Sequence, residues 1–430
     1  MTDQDVCVVV PTVRNPEAVR AYIENARDHG FETDRLEFVL VTENFCNVAG
    51  MRAMLDDLGV AGRVFDASAR AEWFEEQEIE EYAHLVPAES HAQTSFGLLY
   101  LWANDFEYGV FVDDDTAPVP DVDFFGTHLA NLAFEGDIEA VGSDERWANV
   151  LYQSADEHGL YPRGYPYSAM DETVETRRIH VDDVVASQGL WTNVPDLDAV
   201  RILMDGDLEG QATTRTTRED YGEDFVAARG HYLTVSSMNL AFRREVVPAF
   251  YQLPMDDNPW NVGRFDDIWS GVFLKRAADL LGKHVHNGSP LCRHDKAPRS
   301  TFGDLTNEAP GLELNEHLWR IVDEATADLA EGTTAGPGLD GAESTVEPGL
   351  RADGSGPGDD RPRADDPLPD DDAAAFATVY EVMADALVAG DWADLENGAF
   401  FTHVGEHMHD WLDCLDELGD RPLRSALPEE

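Results

Sequence analysis

The chain has 430 residues, 43% of them hydrophobic, which is enough for one large domain or two smaller ones with a substantial core. Its 86 acidic residues outnumber 30 basic ones, a formal charge of −56, and such a surface argues against nucleic acid or an anionic membrane as partner. Lysine occurs only at Lys275, Lys283 and Lys296, and acid is spread along the whole chain. That balance is expected of a protein adapted to multimolar salt, because in dilute buffer its self-repulsion would be poorly screened.

Cys7, Cys46, Cys292 and Cys414 are scattered without a CxxC pair or a disulfide pattern. The N-terminus lacks a basic leader, and no apolar run has the length of a membrane span. A soluble, cytoplasmic protein without membrane insertion is the expectation.

Val6–Val10 reads as a buried first strand, followed by the loop Pro11-Thr12-Val13-Arg14-Asn15-Pro16 and a helical pattern over 17–29. Leu36–Val41 is a second apolar strand that ends in Thr42-Glu43-Asn44, and 91–105 is again helical. Strands alternating with helices predict an α/β fold with a mostly parallel, doubly wound sheet. Ligands of such sheets bind outside the carboxyl ends of the strands.

The third strand, Tyr108–Val112, runs straight into Asp113, Asp114 and Asp115. Three adjacent carboxylates repel one another. They form either a solvated turn or a site for a hard divalent cation, Mn²⁺ or Mg²⁺, able to carry a diphosphate. Their place at a strand end favours the metal.

Further along, RGYPYS (Arg163–Ser168), SQGLWTNVPDLDA (Ser187–Ala199), SMNLAFRRE (Ser237–Glu245), GRFDDIWSG (Gly263–Gly271) and RHDKA (Arg293–Ala297) are dense in aromatic, glycine and charged residues. Asp266 and Asp267 precede an apolar helical run, where carboxylates suit a helix N-terminus. Arg264 beside them is expected to pair with one of the two. Trp191 and Trp269 either fill core or stack on a ligand ring. Lys296, one of three lysines, is a candidate phosphate contact. Residues 331–372 turn to Gly, Pro, Asp, Ala and Thr without periodicity, the composition of a disordered linker or insertion. Helical stripes return over 373–418, including Phe376, Tyr380, Trp411 and Leu415, as core or as contacts of a homo-oligomer; residues 419–430 form a tail.

In this order, with the PTVRN loop and the aspartate run in front, these motifs resemble the reversibly glycosylated polypeptides, which include the plant UDP-arabinopyranose mutases. The resemblance runs from about residue 6 to 325, and MHDWLDCLDEL (Met408–Leu418) is similar to that family's C-terminal helix. It implies a glycosyltransferase A-type, Rossmann-like catalytic domain over 1–330 that binds a UDP-sugar as partner. Asp113, Asp114 and Asp115 match the family's metal motif, and His294 stands where a histidine completes it or is merely structural. Arg163 matches the arginine glycosylated in the plant proteins. It is either the covalent acceptor, which needs activation by a carboxylate because guanidinium stays protonated, or a holder of negative charge. Asp266 and Asp267 stand where an acidic pair faces sugar and acceptor hydroxyls. Thr12 and Arg14 lie in the loop that meets the nucleotide, with Trp191 near sugar or uracil. Glu43 replaces the family's usual Asp-Gly and thereby departs from its base and ribose contacts. The resemblance implies a mutase or, alternatively, a transferase to a separate glycan, lipid or protein acceptor.

Overall fold

The computed structural model describes residues 4–14, 17–90, 93–154, 159–170, 173–255, 258–332, 368–419 and 423–424. Strand β1 (Val6–Pro11) carries four valines, and Val6–Val10 are buried on both faces, as a central parallel strand must be. It is followed by α1 (Glu17–Asp28), β2 (Leu36–Val41), α2 (Val48–Leu58), β3 (Ala61–Phe65), α3 (Ala67–Glu76), α4 (Gln93–Ala103) and β4 (Tyr108–Val112). These strands pair in parallel in the order β3-β2-β1-β4. The winding reverses between β1 and β4, so a crevice opens where those two strands end. Helix α4 lies close on the sheet because Gly97 faces Val9, where a Cβ would come within 2.3 Å of the valine side chain.

Beyond β4 come β5 (Thr116–Pro118), α5 (Phe124–Leu132), β6 (Gly136–Ser143), β7 (Trp147–Ala148), β8 (Val174–Val181), β9 (Val184–Asn193), α6 (Ala199–Asp205), β10 (Phe225–Ala227), β11 (Tyr232–Leu233) and β12 (Asn239–Arg243). The series closes with α7 (Asp266–Leu280), β13 (His284–His294), α8 (Thr301–Ala325), α9 (Ala327–Gly332), α10 (Asp372–Ala389) and α11 (Ala399–Leu418). Antiparallel β12 joins β4 to β9, and the sheet continues β9-β13-β10-β6-β8 in mixed sense. The architecture is thus the expected Rossmann-like α/β fold, with its parallel half at the N-terminus. Short β5 folds back on β13 with Thr116 opposite His294, which brings the aspartate turn against the end of β13.

The C-terminal stripes are internal core. Phe376, Val379, Tyr380, Met383, Leu387, Phe400, Val404, Met408, Trp411, Leu412 and Leu415 are each at most 1% exposed. Trp411 stacks on Tyr251 at 4.7 Å and donates from Nε1 to the Val247 carbonyl at 3.2 Å, while Trp102 Nε1 donates to the Leu415 carbonyl. Of the two expectations for these stripes, core and oligomer contact, these residues meet the first: they are core. Most of the acidic linker, 333–367, lies outside the described residues.

All three lysines are buried, Lys275 at 1%, Lys283 at 4% and Lys296 at 6% exposure, so arginine alone supplies cationic side-chain charge other than histidine at the surface. The cysteines are unpaired, and among the described residues no helix is long and apolar enough to cross a membrane.

Candidate functional site

The aspartate run is a tight turn at the mouth of the β1/β4 crevice. The Asp113 carbonyl accepts from the Thr116 hydroxyl at 2.8 Å, and Tyr22 OH shares that hydroxyl at 2.7 Å. The three carboxylates then diverge. Asp114 is taken by the first-strand loop, with Thr12 Oγ1 2.7 Å from its Oδ2 and Arg14 Nη2 3.0 Å from its Oδ1. Asp115 turns to the end of β13, where its carbonyl accepts from Asp295 N and its Oδ2 from Ala297 N. Asp113 is partly exposed beside them. Desolvation, then Asp115, Asp114, Asp267 and Asp196, push its carboxyl well above the ordinary range.

A carboxylate held among four others is stabilised by any cation that approaches it. The His294 Nδ1 bonds the Val194 carbonyl at 2.8 Å, which leaves Nε2 as the bare nitrogen, 3.9 Å from Asp115 Oδ1. That gap is too long for a hydrogen bond and wider than the roughly 3.0–3.4 Å between neighbouring donors that each stand about 2.1 Å from one cation. Burial lowers the His294 pKa and keeps the ring neutral, as a ligand must be. Among the described residues no group of three His, Cys, Asp or Glu side chains is placed to hold a metal ion, so only the His294–Asp115 pair is at hand. Asp115 and His294 approach each other at the turn, and Asp114, occupied by Thr12 and Arg14, shapes it.

Arg163 lies beside this cluster, 8% exposed and fully engaged. Its Nε donates to Asp196 Oδ2 at 3.1 Å, its Nη1 to the Arg264 carbonyl, and its Nη2 to Asp267 at 3.1 and 3.3 Å. Burial works to lower its pKa, but Asp196, Asp267, Glu308 and Asp266 outweigh it and raise the pKa well above the ordinary value. Neighbouring Gly164 permits this approach. It has φ +86°, and a Cβ there would meet Ile268 Cγ2 at 2.4 Å.

Helix α8 braces both loops. Glu308 accepts from Arg264 Nε at 2.7 Å and Asp304 from Arg299 Nε at 2.8 Å, while Asn315 Nδ2 donates to the Gly164 carbonyl. Arg264 itself sits at φ +63°, a strained conformation for a long side chain, and the strain turns its carbonyl onto Arg163. Lys296 faces the same region. Its buried ammonium has no hydrogen-bond partner among the described residues, and burial, with Arg299 and Arg264, pulls its pKa down to about 8 against Asp196 and Asp304.

Asp113, Asp115, His294, Lys296, Arg163 and Asp267 therefore converge, with Thr12 and Arg14 at the rim and Asp266 in the first turn of α7. Other expectations need correction. Trp191 is 1% exposed within β9 and is core, unavailable for stacking; Trp269 packs on Phe400 and Phe401. Glu43 is buried, with Oε1 held by Arg70 at 3.0 Å and Gln93 at 2.8 Å, so it ties the rim to α3 and α4. Arg264 pairs with Glu308 and Asp304 of α8 rather than with Asp266 or Asp267, because its positive-φ turn carries the side chain away from α7. Missed altogether were Asp196, Asp304, Glu308 and Arg299. The four-residue spacing of Asp304 and Glu308 on one helix face was the available signal for two of them.

A profile of the reversibly glycosylated polypeptides matches residues 77–333. The chain belongs to that family. Among curated relatives, a probable UDP-arabinopyranose mutase 2 of Solanum tuberosum is 32% identical over 227 residues, covering 51% of this chain and 55% of its own. UDP-arabinopyranose mutase 1 of Arabidopsis thaliana is 32% identical over 219 residues, 49% of this chain and 54% of its own. The chain thus spans about half the length of the curated relatives it matches. Among solved structures, the mannosyltransferase PcManGT of Pyrobaculum calidifontis, in complex with GDP-Man and Mn²⁺, covers 95% of this chain and 85% of its own at TM-score 0.32 and 13% identity. S. aureus TarS 1–349, in complex with UDP-GlcNAc, covers 96% and 80% at TM-score 0.31 and 10% identity. These likenesses are loose.

Proposed function

We propose that this family member is a metal-dependent UDP-sugar enzyme that interconverts the pyranose and furanose forms of a UDP-pentose, with transient attachment of the sugar to Arg163. The observation that carries the reading is the clamp on Arg163, the residue matching the family's glycosylated arginine, near Asp113. Asp113, Asp115 and His294 would hold Mn²⁺ or Mg²⁺, which when bound supplies a Lewis acid that neutralises the diphosphate. Lys296 offers its unpaired ammonium to the phosphates, and Thr12 and Arg14 order the loop toward the nucleoside. Arg163 Nη2 attacks the anomeric carbon as the bond to the diphosphate oxygen breaks, UDP keeps the electron pair, and Asp267, 3.1 Å away, takes the nitrogen's proton. Asp266, one turn-position earlier, faces the sugar hydroxyls.

One observation favours a second reading. All three nitrogens of Arg163 donate hydrogen bonds, and its charge is reinforced by the surrounding acids. Under that reading Arg163 stays a fixed cation, and the sugar passes to a separate glycan, lipid or protein acceptor. Purified protein given UDP-arabinopyranose and Mn²⁺ in high salt is expected to yield the furanose isomer without any acceptor. Release of UDP only when an acceptor is added, with no ring change, sinks the mutase reading.

We also read the chain as a cytoplasmic protein adapted to high salt, on its charge of −56 and its wholly buried lysines. Its thermal midpoint is expected to climb by ten degrees or so between roughly 0.1 M and 3 M KCl, as screening shortens from about 10 Å to below 3 Å. A flat or falling midpoint contradicts this.

A further inference from the structure

We propose that Glu308 is a positioning residue for the Arg163 clamp, a buried carboxylate that fixes the spacing of the two loops whose acids hold the guanidinium. The inference rests on the reading of Arg163 as sugar acceptor given above. Arg163 is held from two sides. On one, Asp196 accepts from its Nε at 3.1 Å; on the other, the Arg264 carbonyl accepts from Nη1 and Asp267 from Nη2 at 3.1 Å. Both sides lead to the same carboxylate. Glu308 Oε2 accepts at 2.6 Å from the backbone N of Ala199, which follows closely on Asp196 in the chain, and Oε1 accepts from Arg264 Nε at 2.7 Å. At 1% exposure Glu308 is closed off from solvent, so losing either donor leaves a buried oxygen unpaired.

The same helix also holds the arginine's own loop. Asn315 Nδ2 donates to the Gly164 carbonyl at 2.8 Å, and Glu316 accepts from Tyr167 N at 2.6 Å and Ser168 N at 3.2 Å. Asp304, Glu308, Gly311 and Asn315 are buried at helical spacing along one face of α8. A buried face with that spacing ordinarily carries apolar side chains. Here it carries two acids, a glycine and an amide. Gly311 lets the helix lie against Phe265, where a Cβ would come within 2.4 Å of the ring, and the three polar residues each bond a segment of the clamp. Replacing a buried ion pair by apolar residues is often neutral or stabilising, so this stripe answers to the geometry it sets rather than to stability. Without the Glu308 tie the Asp196 and Asp267 loops are free to separate, and Arg163 Nη2 leaves the line of attack on the anomeric carbon.

Glu308→Gln keeps the shape but has one acceptor oxygen, so whichever way the amide turns, either Ala199 N or Arg264 Nε meets an NH2 group. In high salt with Mn²⁺, single-turnover transfer of radiolabel from UDP-arabinopyranose to the protein is expected to slow on the order of 10²-fold, the scale of a misplacement of about 1 Å. UDP affinity by calorimetry is expected to stay at the wild-type value, because Glu308 bonds Ala199 and Arg264 rather than Lys296 or the Thr12–Arg14 loop. Met383→Ala, a core substitution in α10, controls for lost stability and is expected to lower the melting temperature without slowing labelling. Labelling that slows no more in Glu308→Gln than in Met383→Ala overturns the inference, as does a loss of UDP affinity in step with the rate. If Glu308→Gln does not fold, Glu316→Gln is read by the same split: it leaves one acceptor for Tyr167 N and Ser168 N and is expected to slow labelling severalfold at unchanged UDP affinity. Wild-type protein that binds UDP but takes no label removes the reading of Arg163 itself, an outcome distinct from wild-type labelling that Glu308→Gln leaves untouched.

Discussion

Asp113→Asn is expected to raise the melting temperature of the metal-free protein while cutting kcat/KM on the order of 10²- to 10³-fold, the scale on which removal of one group that stabilises developing charge is felt. The two effects have opposite signs because they come from one cause. Without a cation, Asp113 is desolvated and faces Asp115, Asp114, Asp267 and Asp196, so its charge costs folding free energy. Asparagine keeps the shape and deletes the repulsion. With Mn²⁺ present the wild type gains stability by mass action, and the variant, lacking a carboxylate donor, gains much less. Melting curves with and without Mn²⁺ check this without any turnover assay. An Asn variant that is less stable than wild type in a chelator, and equally stabilised by Mn²⁺, excludes Asp113 from a metal site. Asp114→Asn makes the internal contrast. Its carboxylate already has Thr12 and Arg14 as partners, so its loss should loosen the rim loop and leave the Mn²⁺ response largely intact.

What the sequence disclosed was local. The run from Tyr108 to Asp115 shows its strand and its carboxylates in eight consecutive residues, and β4 ends where the apolar stretch ends. The stripes of α10 and α11 were equally plain, because amphipathic spacing is written in adjacent turns; what they pack against was not, and Tyr251 and Val247 had to be seen beneath Trp411. The clamp on Arg163 was hidden for the same reason. Its partners lie 33 and 104 residues away, and nothing near Arg163 in sequence announces Asp196 or Asp267. Adjacency even misled at Arg264, whose side chain leaves its neighbours for Glu308, 44 residues on. Trp191 failed differently: a tryptophan can fill core or stack on a ring, and only the position of its strand in the middle of the sheet decides for core.

Arg163→Lys and Arg163→Ala are expected both to abolish turnover and to remove radiolabel transferred from UDP-sugar to the protein, yet to differ in stability. Alanine leaves Asp196 and Asp267 buried without their shared cation, and breaking a buried ion pair from one side costs about 3–5 kcal/mol. Lysine returns the charge and should recover much of that stability. It cannot recover the geometry, because a single ammonium does not reach Asp196, Asp267 and the Arg264 carbonyl as the planar fork does. Turnover in the lysine variant therefore stays lost although the fold is sound, and this separates chemistry from stability. The label discriminates the two roles open to Arg163. If label persists undiminished in both variants while turnover is gone, Arg163 is the fixed cation and the sugar is carried elsewhere. Asp267→Asn sharpens the same point: it keeps a hydrogen-bond acceptor for Nη2 but removes the carboxylate placed to receive its proton. Labelling by that variant should fall with Arg163 present and the clamp nearly intact, which a purely charge-holding arginine does not explain.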